Sequence, residues 1–74
     1  MIDMNMVEVF KTNVHEPGHA AELVEMLHLH FPGGRINFDL EDCDRILRVE
    51  KADILPHKII ALVTASGFEC SVLD

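Results

Sequence analysis

Four stretches of the chain alternate apolar and polar residues with a period of two, and two others repeat their apolar residues at helical spacing. The first, Met6 to Thr12, sets Val7 and Val9 on one face and Glu8, Phe10 and Thr12 on the other, which is strand behaviour. The valines are expected to face the core, leaving Phe10 on the outer face. Asn13 to Gly18 is polar and turn-forming, and Pro17 suits a first helical turn, where its missing N–H has no partner to lose.

From Pro17 to His30, Ala20, Leu23, Val24 and Leu27 share one stripe with Phe31 just beyond, while Glu22 and Glu25 point away. Met26 lies at the edge of the stripe, and Pro32-Gly33-Gly34 stops the helix. Arg35 to Leu40 alternates with Ile36, Phe38 and Leu40 inward. After the polar turn Glu41-Asp42-Cys43-Asp44, Arg45 to Glu50 returns with Leu47 and Val49 inward and Ile46 outward, which reads as a hairpin. Pro56 to Ser66, carrying Ile59, Ile60, Leu62 and Val63, predicts a second helix that Gly67 ends. Phe68, Cys70 and Val72 then alternate with Glu69, Ser71 and Leu73 in a last strand. Met1 to Asn5 reads as a loose leader.

The order βαββαβ gives each helix one apolar stripe and each strand one apolar face. A two-layer α+β sandwich covers all of them. Right-handed crossovers make this a ferredoxin-like sandwich with an antiparallel sheet in the spatial order 4-1-3-2. The 74 residues are expected to form this single domain.

Composition and charge narrow the function classes. The formal charge is −7, and the six Lys and Arg residues are scattered, which argues against nucleic acid and against an anionic membrane surface. Two cysteines make no disulfide framework, and no signal peptide or spanning segment is expected, so the cytoplasm is the expected compartment. Catalysis is not expected either: there is no Gly-rich phosphate loop and no nucleophile beside a base at a recognisable spacing.

In this order of elements, several stretches resemble the heavy-metal-associated domain family of copper chaperones and metal-ATPase modules. They are the first strand–helix junction, Phe31-Pro32-Gly33-Gly34 leading into Ile36-Asn37-Phe38-Asp39-Leu40, Leu47-Arg48-Val49, and Ala65-Ser66-Gly67-Phe68. The resemblance spans Val7 to Leu73. The family's Met-x-Cys-x-x-Cys motif falls on Val14-His15-Glu16-Pro17-Gly18-His19, where Glu16 and His19 stand in place of the two cysteines.

That replacement changes the chemistry the resemblance implies. A thiolate pair suits soft Cu(I), whereas a carboxylate and an imidazole suit Zn(II), Ni(II) or Cu(II). His15, Glu16 and His19 are the candidate ligands, with Cys43 at the hairpin tip within reach of the same end of the sheet. The ordinary alternative is a helix start with Glu16 at the positive end of the dipole and both histidines solvated. His28, His30 and His57 gather at the opposite end, where a helix C-terminus favours histidine without any ligand. Cys70, in phase with Phe68 and Val72, reads as a buried apolar residue, and a Cys43–Cys70 disulfide is not expected across an intervening strand. A metal-free protein-interaction or homodimer module, using Phe10 and Ile46 on the open face of the sheet, is the second functional expectation.

Overall fold

Alternation and helical periodicity translate into six elements in the computed structural model, which describes residues 6–73. The expected leader, Met1 to Asn5, lies outside the described residues. Along the chain run β1 (Met6–Thr12), α1 (Pro17–His30), β2 (Arg35–Asp39), β3 (Ile46–Lys51), α2 (Pro56–Ala65) and β4 (Cys70–Val72). The strands make one antiparallel sheet in the order β2-β3-β1-β4, the expected order read from its other edge. β1 and β3 therefore hold the centre, and β2 and β4 form the edges.

Residues directly opposite one another in antiparallel strands share a face, so the register defines the inner side. Phe10 pairs with Leu47 and with Val72, Leu47 with Phe38, and Val49 with Ile36. Leu27 of α1 and Ile59 and Val63 of α2 join Phe10, Ile36, Leu47, Val49 and Ile54 in one buried cluster, so both helices cover this one face. Each fully buried side chain of this kind contributes about 1.5–3 kcal/mol relative to exposure. Val14, Ala20 and Leu23 form a second, smaller cluster under the β1–α1 connection. Among the described residues, no helix is long and apolar enough to cross a membrane.

The phase of β1 is opposite to expectation. Phe10 has no exposed surface and Thr12 is 6 % exposed, whereas Val7 is 54 % exposed and Val9 only half-buried. Both faces of this strand carry apolar residues, and burying a phenyl ring removes more apolar area from water than burying a valine. Turning Phe10 inward also brings Thr12 inside, which is tolerable because its hydroxyl donates to the Arg45 carbonyl at 2.6 Å and accepts from the Val14 amide at 3.2 Å. Ile46 keeps the expected outer parity, alternating with inward Leu47, but it is 5 % exposed and belongs to neither cluster. Outward parity therefore does not leave it open to solvent. Phe10 and Ile46 thus supply no exposed apolar pair on the open face, contrary to expectation.

The ends of the elements have local causes. β2 stops at Asp39, one residue early, and the next carbonyl, that of Leu40, accepts a hydrogen bond from the Arg45 guanidinium. β3 starts one residue late because Arg45 has φ +45°, which breaks the extended run. Asp42 and Arg45 close the hairpin turn through Arg45 N–H to Asp42 O at 3.0 Å. At the end of α2, Phe68 N–H reaches Val63 O at 3.3 Å and Gly67 N–H reaches Thr64 O at 3.0 Å, with Gly67 at φ +97°. This is the paired C-terminal cap that favours glycine. Phe68 packs against the main cluster, as that motif favours. It also shortens β4: the Phe68 amide is used by the cap and the Glu69 amide by Asn13 Oδ1 at 2.8 Å, so pairing begins only at Cys70.

Candidate functional site

One end of the sheet gathers the β1–α1 connection, the β2–β3 hairpin tip and the loop before β4. The ties are specific. Thr12 N–H donates to Asp44 O at 3.1 Å, the Thr12 hydroxyl holds Arg45 O, and Lys11 Nζ lies 3.8 Å from Asp44 Oδ1. Asn13 holds the Glu69 amide across the other side. Val14 points down with no exposed surface, anchoring the connection so that His15 and Glu16 come up into solvent.

Glu16 is the last residue before α1, with extended backbone at φ −102° and ψ 129°, and its carbonyl accepts the Ala20 amide at 3.0 Å. Its carboxylate caps no helix amide and instead lies 3.7 Å from His19 Nδ1, with the side chains 60 % and 47 % exposed. Pro17 at the first helical position brings no amide that needs a partner. The His19 ring also stands 5.4 Å from the Phe68 ring at a 56° tilt. His19 therefore has a carboxylate nearby on one side and an aromatic ring on another, at the rim of a shallow concavity that Leu23, Met26 and Ser66 help to line. His15 is exposed with Nδ1 3.3 Å from the Asn13 carbonyl. The structure brings Glu16 and His19 together and places His15 on the preceding turn.

The hairpin tip is a second concentration of donors. Among the described residues, Asp42, Cys43 and Asp44 form the group of three whose potential ligand atoms lie within 4.8 Å of one another. Asp42 Oδ1 already accepts the Asp44 amide at 2.9 Å, so the loop's own folding accounts for one of those carboxylates. Cys43 is exposed and free. Cys70 is free and half-buried, and burial raises its thiol from the ordinary 9.0 to about 11. It packs against the main cluster, consistent with an apolar role. His28 and His30 occupy the last turn of α1 and His57 the first turn of α2. His30 shares a surface concavity with Phe31, Lys58, Ala61 and Leu62.

Residue types at the junction were readable from the sequence; the side-chain contacts were not. The place of Phe68 beside His19 follows from the Gly67 cap, and the Asn13–Glu69 link joins residues far apart in the chain. Neither leaves a local signal. No family model, curated protein or solved structure matches the chain.

Proposed function

We propose that the chain is a ferredoxin-like binding domain related to the heavy-metal-associated modules, which takes a divalent transition-metal ion at the β1–α1 junction. Glu16 and His19 are the primary ligands, and His15 completes the set by rotating its ring away from the Asn13 carbonyl. The observation that carries the reading is the 3.7 Å separation of Glu16 Oε2 and His19 Nδ1. Two donors on one tetrahedral ion, each about 2.0–2.1 Å from it, stand roughly 3.3 Å apart, so a small adjustment suffices. Oxygen and nitrogen ligands select Zn(II), Ni(II) or Cu(II) over Cu(I). Three protein ligands leave a position for water or for the Cys43 thiolate of the hairpin tip. Two free cysteines also support the cytoplasm as its compartment.

Calorimetric titration with Zn(II) tests this. Wild type and His28→Ala are expected to bind one ion with equal affinity, and His19→Ala and Glu16→Gln to lose at least about tenfold. Affinity should weaken on acidification, because protonated imidazole cannot coordinate. Equal behaviour in all four proteins overturns the assignment. The second reading, a metal-free interaction module, is supported by the outer parity and exposure of Val7 and Leu73 on the open sheet face. It predicts no stoichiometric heat in any of the four.

A further inference from the structure

The two edges of the sheet differ in what they offer another strand. β4 has three residues, and the two amides before it are already used by Val63 and Asn13. β2 has five residues in unbroken register with β3, from Arg35 opposite Glu50 to Asp39 opposite Ile46. Its other side is a sheet edge. An edge of this kind templates pairing unless it carries proline, lysine, a bulge or an inward charge. Arg-Ile-Asn-Phe-Asp has no proline, lysine, bulge or inward charge, and Ile36 and Phe38 face inward. Its two charges, Arg35 and Asp39, are of opposite sign and exposed on the outer side with Asn37 between them, so they repel a second strand only where like meets like.

The strand is also complementary to itself when reversed. We propose that two copies of this chain associate through β2, antiparallel about a two-fold axis at Asn37, to give one continuous eight-stranded sheet. In that register Arg35 faces the partner's Asp39, Ile36 faces the partner's Phe38, and Asn37 faces the partner's Asn37. Both ends of the interface are then opposite-charge pairs, and the inner side pairs apolar residues with apolar ones. Parallel pairing in register sets Arg35 against arginine and Asp39 against aspartate. A two-residue slip loses both ion pairs. The two-fold arrangement is closed, because the strand used in one copy is the same strand used in the other. An axis normal to the sheet keeps the helices of both copies on one side, so the interface leaves the β1–α1 junction open and is independent of metal.

Sedimentation velocity on the full chain, with circular dichroism as a check of folding, tests the proposal. Wild type is expected to show a concentration-dependent monomer–dimer equilibrium. Asp39→Arg replaces each ion pair with a repulsive one and should raise the dissociation constant about tenfold or more. The charge swap Arg35→Asp with Asp39→Arg should restore association. Asn37→Cys in a Cys43→Ser background should form a disulfide-linked dimer with oxidised glutathione, since directly opposed Cα atoms about 4.5–5.5 Å apart lie within disulfide range. A wild-type chain that stays monomeric up to millimolar concentration overturns the proposal. So do an Asp39→Arg variant that associates like wild type and a cysteine variant that fails to cross-link. Growth into open polymers, the signature of β2 meeting β4 of another copy, overturns it as well.

Discussion

The two apolar clusters support their parts of the molecule by different means. Under the middle of the sheet, seven buried residues from every strand but β4 and from both helices interlock with Ile54 of the β3–α2 connection. Under the β1–α1 junction there are three, Val14, Ala20 and Leu23, assisted by hydrogen bonds from Thr12 and Asn13. The centre is held by packing, which is non-directional. The junction is held by a small apolar footing and by polar contacts that require particular geometry. A surface that presents side chains to a ligand gains from the second arrangement, since hydrogen bonds fix orientation where a thin core cannot.

The largest expected effect lies in the centre. Phe10→Ala should lower unfolding free energy by about 3–5 kcal/mol in chemical denaturation, the range for a buried aromatic. A loss as small as that of a surface site would return Phe10 to the outer face and restore Val7 and Val9 to the core. Thr12→Val should come next. It keeps the volume but leaves the Arg45 carbonyl and Val14 amide without their hydroxyl partner, at about 1–3 kcal/mol. If Thr12→Val proves neutral, packing alone supports the junction and the contrast between the two clusters fails.

How much of this was legible in the sequence follows from the same residues. Element order and most boundaries were, because Pro17, the Pro32-Gly33-Gly34 turn and Gly67 punctuate strong periodic runs. The inner face of β1 was not. Its alternation is sound, but two valines on one side and a phenylalanine on the other leave the choice to its partners, and Leu47 decides it only once the register exists. Val14 and Ile54 are buried in connections that have no period to reveal them. At the candidate site, the ligand-bearing residue types were readable, whereas the turn of His15 towards Asn13 depends on the folded loop.

The smallest expected effect belongs to Cys70, opposite Thr12 in β4 and packed on the main cluster. Its thiol is raised from 9.0 to about 11 by desolvation. The folded state therefore retains the proton longer than the unfolded chain. The stability it contributes is complete below pH 9 and is lost as pH rises towards 11. At pH 8, folding should suppress the Cys70 thiolate by about a hundredfold, so iodoacetamide and mass spectrometry should find exposed Cys43 labelled first and half-buried Cys70 far more slowly until the protein unfolds. Equal labelling of both in the native protein would place Cys70 outside the packed region.

The strand order has a consequence for synthesis. β1 lies at the centre, yet neither of its neighbours is the next strand in the chain, and all its partners come from the second half. As the polypeptide leaves the ribosome, β1 and α1 emerge with no sheet to join. β2 and β3 can meet through their short hairpin, but the central position between β3 and β4 is filled only by a segment made long before. Closing that long loop carries an entropic cost that only the later contacts repay. The nascent chain should therefore stay protease-sensitive until β3 and then α2 have cleared the exit tunnel. Phe10, without solvent contact in the finished domain, must wait unprotected until β3 follows it.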